Sequence, residues 1–314
     1  MTINNMRIAN APCSWGTLEF DGLQGERLGW EQMLNELVDT GYVGTELGDW
    51  GFMPTEPAAL AAALGQRGVT MVGAFVPVAL KYPERHDAGL AEALKYARLL
   101  AAVAETGPHA WSPVIVLADQ NGTEPARTAN AGRVTADMGL TDAQWRVFAT
   151  GAEKVARAVK TETGLRTVFH HHCAGYVETP GEIARLLSMT DPALLGLVFD
   201  TGHYVYGTGT AGGTPVTDGV DRFGDRIWHM HFKDCQPQVA ARARAEGWDY
   251  FGAVRHGIFC ELGQGQVDFA GVTSWMPRRA FTGWIVVELD VRPGMGAPEA
   301  SARRNREYLK SLGW

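Results

Sequence analysis

Residues 166–200 read RTVFHHHCAGYVETPGEIARLLSMTDPALLGLVFD, and the reading of this stretch decides the fold. Arg166–His171 is a short, β-rich apolar run, and so is Leu195–Asp200. Between them Thr179, Pro180, Gly181 and Glu182 place a hydroxyl cap ahead of a proline at the first helical position and a glutamate at the third. That is a capping box, and it starts a helix over Thr179–Ser188. Strand followed by helix is therefore the local unit.

The unit repeats outward in both directions. Further strands are expected at Arg7–Ala11, Tyr42–Leu47, Thr70–Val76, Val114–Ala118, Ile227–Phe232 and Gly283–Glu288, for eight in all. The clearest other helices are Trp30–Thr40, Glu56–Gln66, His86–Thr106, Asp142–Thr163 and Pro298–Leu312, the first closed by Gly41. Eight alternations in 314 residues suit a closed parallel (β/α)8 TIM barrel, read here as a single domain over 1–314. An open doubly wound sheet would more often carry a glycine-rich phosphate turn after its first strand. Here the chain continues Pro12, Cys13, Ser14, Trp15, Gly16, so a nucleotide cofactor has no support. Two long connections, Asp119–Leu140 and Cys235–Val267, follow strands and should lie over the carboxyl-terminal mouth of the barrel. Gly207–Thr217 reads as a flexible loop.

Composition narrows the partners. Lys and Arg total 28 against 35 Asp and Glu, a net charge of −7, which removes the electrostatic footprint of sequence-independent nucleic-acid binding. A small ligand is the better default. Cys13, Cys173, Cys235 and Cys260 are too sparse for a disulfide framework or a paired zinc-knuckle pattern, which fits a reducing cytosol. No apolar run reaches membrane-spanning length and the first residues lack a secretory pattern, so a soluble cytoplasmic protein is expected. A homo-oligomer is compatible with the sequence.

Ionisable residues gather where the later strands end. The fifth strand ends in His170, His171 and His172; the sixth in Asp200, then Thr201, Gly202 and His203; the seventh holds His229, Met230, His231, Phe232, Lys233 and Asp234; the eighth ends at Glu288. Strand side chains alternate, so His170 and His172 share one face, as do His229 and His231, while His171 points away. Adjacent strands lie about 4.8 Å apart, which lets His170, Asp200, His231 and Glu288 reach one ion from four successive strand ends. Any one of these residues alone would more often cap a turn. Two imidazoles and two carboxylates suit manganese or cobalt first, with zinc, iron or magnesium also compatible.

At these residues the chain resembles the sugar isomerase and epimerase superfamily of xylose isomerase-like barrels over nearly its whole length. The resemblance rests on Glu46 in GTELG, on DTGH from Asp200 to His203, on HFKD from His231 to Asp234, on LGQGQVDF from Leu262 to Phe269, and on Glu288 in VVELD. That superfamily usually offers Glu-x-His on the fifth strand, and this chain has His170 where the glutamate would fall. The segment HHHCAGYVET, from His170 to Thr179, is similar to the inosose dehydratases of inositol catabolism. The resemblance implies metal ligands at His170, Asp200, His231 and Glu288, acid and base candidates at His172 and His203, and Glu46 and Lys233 facing substrate.

The chemistry holds on physical grounds as well. A metal polarises a ketone, acidifies the neighbouring C–H and stabilises the enediolate, and an imidazole near its ordinary pKa of about 6.5 can take the proton. Dehydration of a polyol-derived ketone is the leading expectation; isomerisation or epimerisation of a ketose is the alternative. Cleavage at abasic DNA is opposed by the acidic charge, and a binding-only barrel by the retained ligand set.

Weaker signals carry bland readings beside the functional ones. Arg292 could bind a substrate oxygen but is more often solvated. Trp15 and Phe75 could wall a ring but more often fill barrel layers. His86, His109 and His256 read as surface histidines. Among the cysteines only Cys173, beside the histidine run, is worth following.

Overall fold

The computed structural model describes residues 7–16, 28–106, 111–209, 216–291 and 294–314. All eight expected strands are present: β1 Ile8–Asn10, β2 Gly44–Glu46, β3 Thr70–Val78, β4 Val114–Asp119, β5 Arg166–His170, β6 Leu195–Asp200, β7 Ile227–Phe232 and, last in the chain, β10 Ile285–Val287. They close into a barrel in the order β1-β10-β7-β6-β5-β4-β3-β2, with every neighbouring pair parallel. The two remaining strands, β8 Asp234–Cys235 and β9 Phe259–Cys260, form a separate antiparallel pair at the two ends of the connection that follows β7.

Local chemistry sets the helix boundaries. Thr179 accepts from the Glu182 N–H while the Glu182 carboxylate accepts from the Thr179 N–H, so the expected capping box forms and Pro180–Ser188 is helical. A second box, Thr141 with Gln144, opens the long helix Asp142–Thr163. Gly41 takes a φ of +91° after the helix Trp30–Asp39, the left-handed stop that glycine permits without a Cβ clash.

Two apolar layers follow from strand alternation. Outward side chains meet the helices: Phe169 packs edge-on against Phe148 of the helix Asp142–Thr163 at 5.8 Å between ring centres. Inward side chains meet one another, and Val114, Val116, Val168 and Val198 form a cluster made of strand residues alone. On β5 and β6 the next inward positions after Val168 and Val198 are His170 and Asp200, so the apolar filling of the barrel gives way to a polar layer at the carboxyl-terminal rim.

Candidate active site

Strand register assembles the rim. Asp200 pairs in register with His231, Val286 pairs with the same His231, and His170 pairs with Val198, two residues short of Asp200. His170 Nε2 lies 3.6 Å from Asp200 Oδ2, His231 Nδ1 lies 4.0 Å from that same oxygen, and His231 Nδ1 lies 3.2 Å from Glu288 Oε1. All four side chains are buried. Asp200 divides its work: Oδ1 accepts the His203 N–H at 2.8 Å and caps the helix Thr201–Gly207, while Oδ2 has no hydrogen-bond partner among the described residues. Nδ1 of His231 is likewise unpartnered. Buried acceptors left facing one another are costly unless a cation or a proton sits between them. The donor atoms of His170, Asp200 and His231 lie within 4.8 Å of one another, with the Glu288 carboxylate beside them, so the set could hold one divalent ion.

Around this group the charges interlock. Lys233 Nζ lies 3.1 Å from Glu288 Oε2 and 3.4 Å from Asp290 Oδ2. Burial works against the Lys233 ammonium, but Asp290 and Glu288 outweigh it and hold its pKa well above the usual lysine range. Burial pushes the Asp290 carboxyl up in spite of Lys233. For His231 burial also opposes charge, yet Glu288 and Glu46 raise it to about 9. For His170 burial dominates and, with the His231 charge, lowers it to about 3, so this imidazole is neutral and one ring nitrogen has a lone pair for coordination.

His172 stands beside the ion-binding group on the same face of β5 as His170, with ring centres 5.4 Å apart. Its Nδ1 donates to the Cys173 carbonyl, and Tyr250 Oη lies 3.4 Å from Nε2. His203 is packed behind it, ring centres 3.7 Å apart, and its Nδ1 accepts from the Cys173 N–H. Burial lowers both histidines well below the ordinary value, keeping them neutral. His171 points outward as alternation requires, and its Nε2 accepts the Asp200 N–H at 3.1 Å. It thereby fixes the strand end that carries the carboxylate.

Of these side chains His170, His172, His231, Lys233 and Glu288 line one cavity together with Glu46, while Asp200 is not on its wall. The sequence profile of the xylose isomerase-like TIM barrel family matches residues 34–312. The chain belongs to that family. Within the family it is 32% identical over 311 residues to an inosose dehydratase of Geobacillus kaustophilus, covering 99% of this chain and 96% of that protein. It is 31% identical over 299 residues to an inosose dehydratase of Lacticaseibacillus casei, covering 95% and 94% of the two chains. Its fold matches that of a 3-keto-D-glucoside 4-epimerase from E. coli, with a TM-score of 0.66 at 16% identity over 98% of this chain and 99% of the other. An L-ribulose 3-epimerase gives a TM-score of 0.66 at 14% identity over 98% and 94%. These relatives of the xylose isomerase-like barrel carry the names of enzymes, and two of them are inosose dehydratases.

The structure brings His170, Asp200, His231 and Glu288 together at the rim, with His172 and Lys233 beside them. His203 is not on the cavity wall; it lies one ring further back. Arg292 and His109 lie outside the described residues, as does 210–215 of the Gly207–Thr217 loop. Phe75 is on the wall, its ring edge-on to His170, whereas Trp15 is buried elsewhere with its indole donating to Glu36. Both long connections reach the mouth, contributing Asn121 and Gly122 from one and Tyr250 and Phe251 from the other. Cys13, Asp290 and Tyr250 line the cavity and escaped the sequence reading. Asp290 follows Glu288 by two residues, so a period of two would have found it. His86 corrects its expectation: it is buried and its Nε2 donates to the Leu80 carbonyl at 2.8 Å. Cys173 is buried and its thiol is pushed well up by burial, which is the opposite of a nucleophile's environment. No helix among the described residues is long and apolar enough to cross a membrane.

Proposed function

We propose that the protein is a metal-dependent carbon–oxygen lyase that dehydrates a polyol-derived ketone of the inosose kind. The observation that carries the reading is the convergence of His170, Asp200, His231 and Glu288, with two unpartnered acceptors among them, beside a cavity whose wall holds the neutral imidazole of His172. The inosose dehydratase names of relatives at about 30% identity support the substrate class.

His170, Asp200, His231 and Glu288 would hold a divalent cation, manganese or cobalt by donor chemistry, and a bound ion would polarise a ketone oxygen and acidify the C–H beside it. His172 takes that proton: its Nδ1–H is committed to the Cys173 carbonyl, which leaves Nε2 as the basic nitrogen. The electron pair of the broken C–H bond forms the carbon–carbon double bond as the β-hydroxyl departs. The proton taken by His172 returns to that hydroxyl, so water leaves and no other reactant is needed. His203 exercises its part through His172, against which it packs. Lys233, held in the cavity by Glu288 and Asp290, binds a substrate oxygen, and Arg292 is assigned the same task.

Metal-reconstituted protein incubated with inososes and with ketohexoses tests the reading. Growth of a dicarbonyl chromophore with an inosose is the expected result. Deuterium uptake from solvent into a sugar product, with no chromophore, would make the enzyme an isomerase or epimerase and overturn the lyase assignment.

A further inference from the structure

Glu46 ends β2 and enters the rim from across the barrel, and its environment is not that of a group waiting for a hydroxyl. Its Oε1 accepts from His231 Nε2 at 2.9 Å and from His229 Nε2 at 3.0 Å. All three side chains are buried. The close approach depends on Gly73 of β3: a Cβ there would lie 3.3 Å from Glu46 Oε1, and the register of β2 on β3 shifts between Thr45 and Glu46 to set the two residues side by side.

We propose that Glu46 is a positioning residue of the cation site, fixing the tautomer and the ring orientation of His231. A carboxylate oxygen carries only lone pairs, so at 2.9 Å it demands that Nε2 of His231 bear the hydrogen. Nδ1 is then the nitrogen left to offer its lone pair when an ion replaces its proton, and it faces Glu288 Oε1 and Asp200 Oδ2, at 3.2 and 4.0 Å. The opposite tautomer would set two lone pairs against each other at Glu46 and a hydrogen where an ion belongs. His229 holds the carboxylate in place with a second N–H, so the chain Glu46–His231 has the form of a carboxylate–histidine–metal relay. The negative charge of Glu46 also makes the imidazole a stronger donor. This inference rests on the cation-binding reading of the rim and replaces, for Glu46, the substrate contact that its strand-end position implies.

The test is titration of Mn2+ into the metal-free full chain by calorimetry, comparing wild type with Glu46→Ala and Glu46→Gln, each checked for folding by circular dichroism and thermal unfolding. Glu46→Ala is expected to weaken Mn2+ binding by about 10- to 100-fold, and Glu46→Gln, which keeps a carbonyl acceptor for both N–H groups, to restore most of that loss. In 15N spectra of the Zn2+-loaded protein, where the ion displaces the proton from Nδ1, His231 should show the hydrogen on Nε2 in wild type and in Glu46→Gln, but not as the sole form in Glu46→Ala. Undiminished Mn2+ affinity in a folded Glu46→Ala variant, with only KM for the ketone raised, would overturn the assignment and return Glu46 to substrate. Two ions bound per chain would also overturn it, because Glu46, His229 and His231 would then be a second ion site. If wild type binds no divalent ion at all, the reading of the rim itself fails, and that outcome is distinct from the other two.

Discussion

Asp234 Oδ2 accepts the backbone N–H of Gly265 at 2.9 Å, and a Cβ added to Gly265 would lie 2.3 Å from Oδ1 of the same carboxylate. Two motifs far apart in sequence, HFKD and LGQGQVDF, are one structural unit through this contact. Asp234 also receives the N–H groups of Gly263, Val267 and Cys235, at 2.9, 3.1 and 2.8 Å. It follows Lys233 directly, so the loop it gathers anchors the side of the mouth where that lysine enters. Asp234→Ala strands four amides and should cost about 3–5 kcal/mol, with Asp234→Asn costing less because one acceptor remains. Gly265→Ala must move the carboxylate or the loop and should cost about 1–3 kcal/mol. Urea unfolding of the three variants decides the point; an unchanged midpoint for Asp234→Ala would remove the proposed anchor.

Arg127 and Glu182 supply a contrast between a cap and a buried pair. Glu182 closes the capping box with Thr179 and also takes Arg127 in a two-pronged pair at 2.8 and 2.9 Å, while Arg127 Nε donates to the Gly175 carbonyl. Arg127 is fully buried. Thr179→Ala should therefore cost about 1 kcal/mol, the ordinary worth of a cap. Glu182→Ala should cost about 3–5 kcal/mol, because it leaves a guanidinium buried without its partner. Equal losses from the two substitutions, measured by chemical unfolding, would show that the ion pair adds nothing to the cap.

Glu178 makes stability depend on pH. Burial outweighs the Arg127 charge and the N–H bonds from Gly132 and Ala174, and pushes its carboxyl up from 4.5 to about 7. An acid whose folded pKa is raised prefers its protonated form in the folded state. Its stabilising contribution is fully present below about pH 4.5 and is lost as pH rises through about 7. With about 1.4 kcal/mol per unit, the swing is about 3 kcal/mol. Stability measured at pH 5 and pH 8 should change less in Glu178→Gln than in wild type, with the variant gaining on wild type at the higher pH. Parallel pH profiles for the two proteins would contradict the assignment.

Much of this architecture was legible because the signals were redundant. All eight barrel strands lie where β-rich runs alternate with helices, and Thr179 with Glu182 marked its helix start to the residue. His170, Asp200, His231 and Glu288 could be placed together because strand ends in a barrel converge whatever the loops do. What escaped depends on register and on long-range approach. That Glu46 meets His229 and His231 across the barrel depends on how Glu46 is set at the register shift between Thr45 and Glu46, which no periodicity announces. That His203 sits behind His172 follows from the helix that Asp200 caps: its first turn swings His203 off the strand direction. The short helices Pro237–Glu246 and Tyr250–Arg255, which bring Tyr250 to the cavity, have too few turns to show a clear apolar stripe.

His172 and Asp200 should separate chemistry from ion binding. His172 has its Nδ1 on the Cys173 carbonyl and its Nε2 near Tyr250, outside the group of converging ligand atoms. His172→Gln keeps a polar side chain of similar reach but removes the basic nitrogen. Turnover should fall by about 10²–10⁴-fold, while affinity for Mn2+ stays within about twofold of wild type. Asp200→Asn acts on the other side of the divide. It preserves the oxygen that caps the helix Thr201–Gly207, but it puts a neutral amide where Oδ2 faces His170 and His231. Ion affinity should drop by about 100-fold or more, and turnover should recover in part at saturating Mn2+. Parallel loss of ion binding and turnover in His172→Gln would mean that this imidazole belongs to the cation site, and the assignment of proton transfer to it would fall.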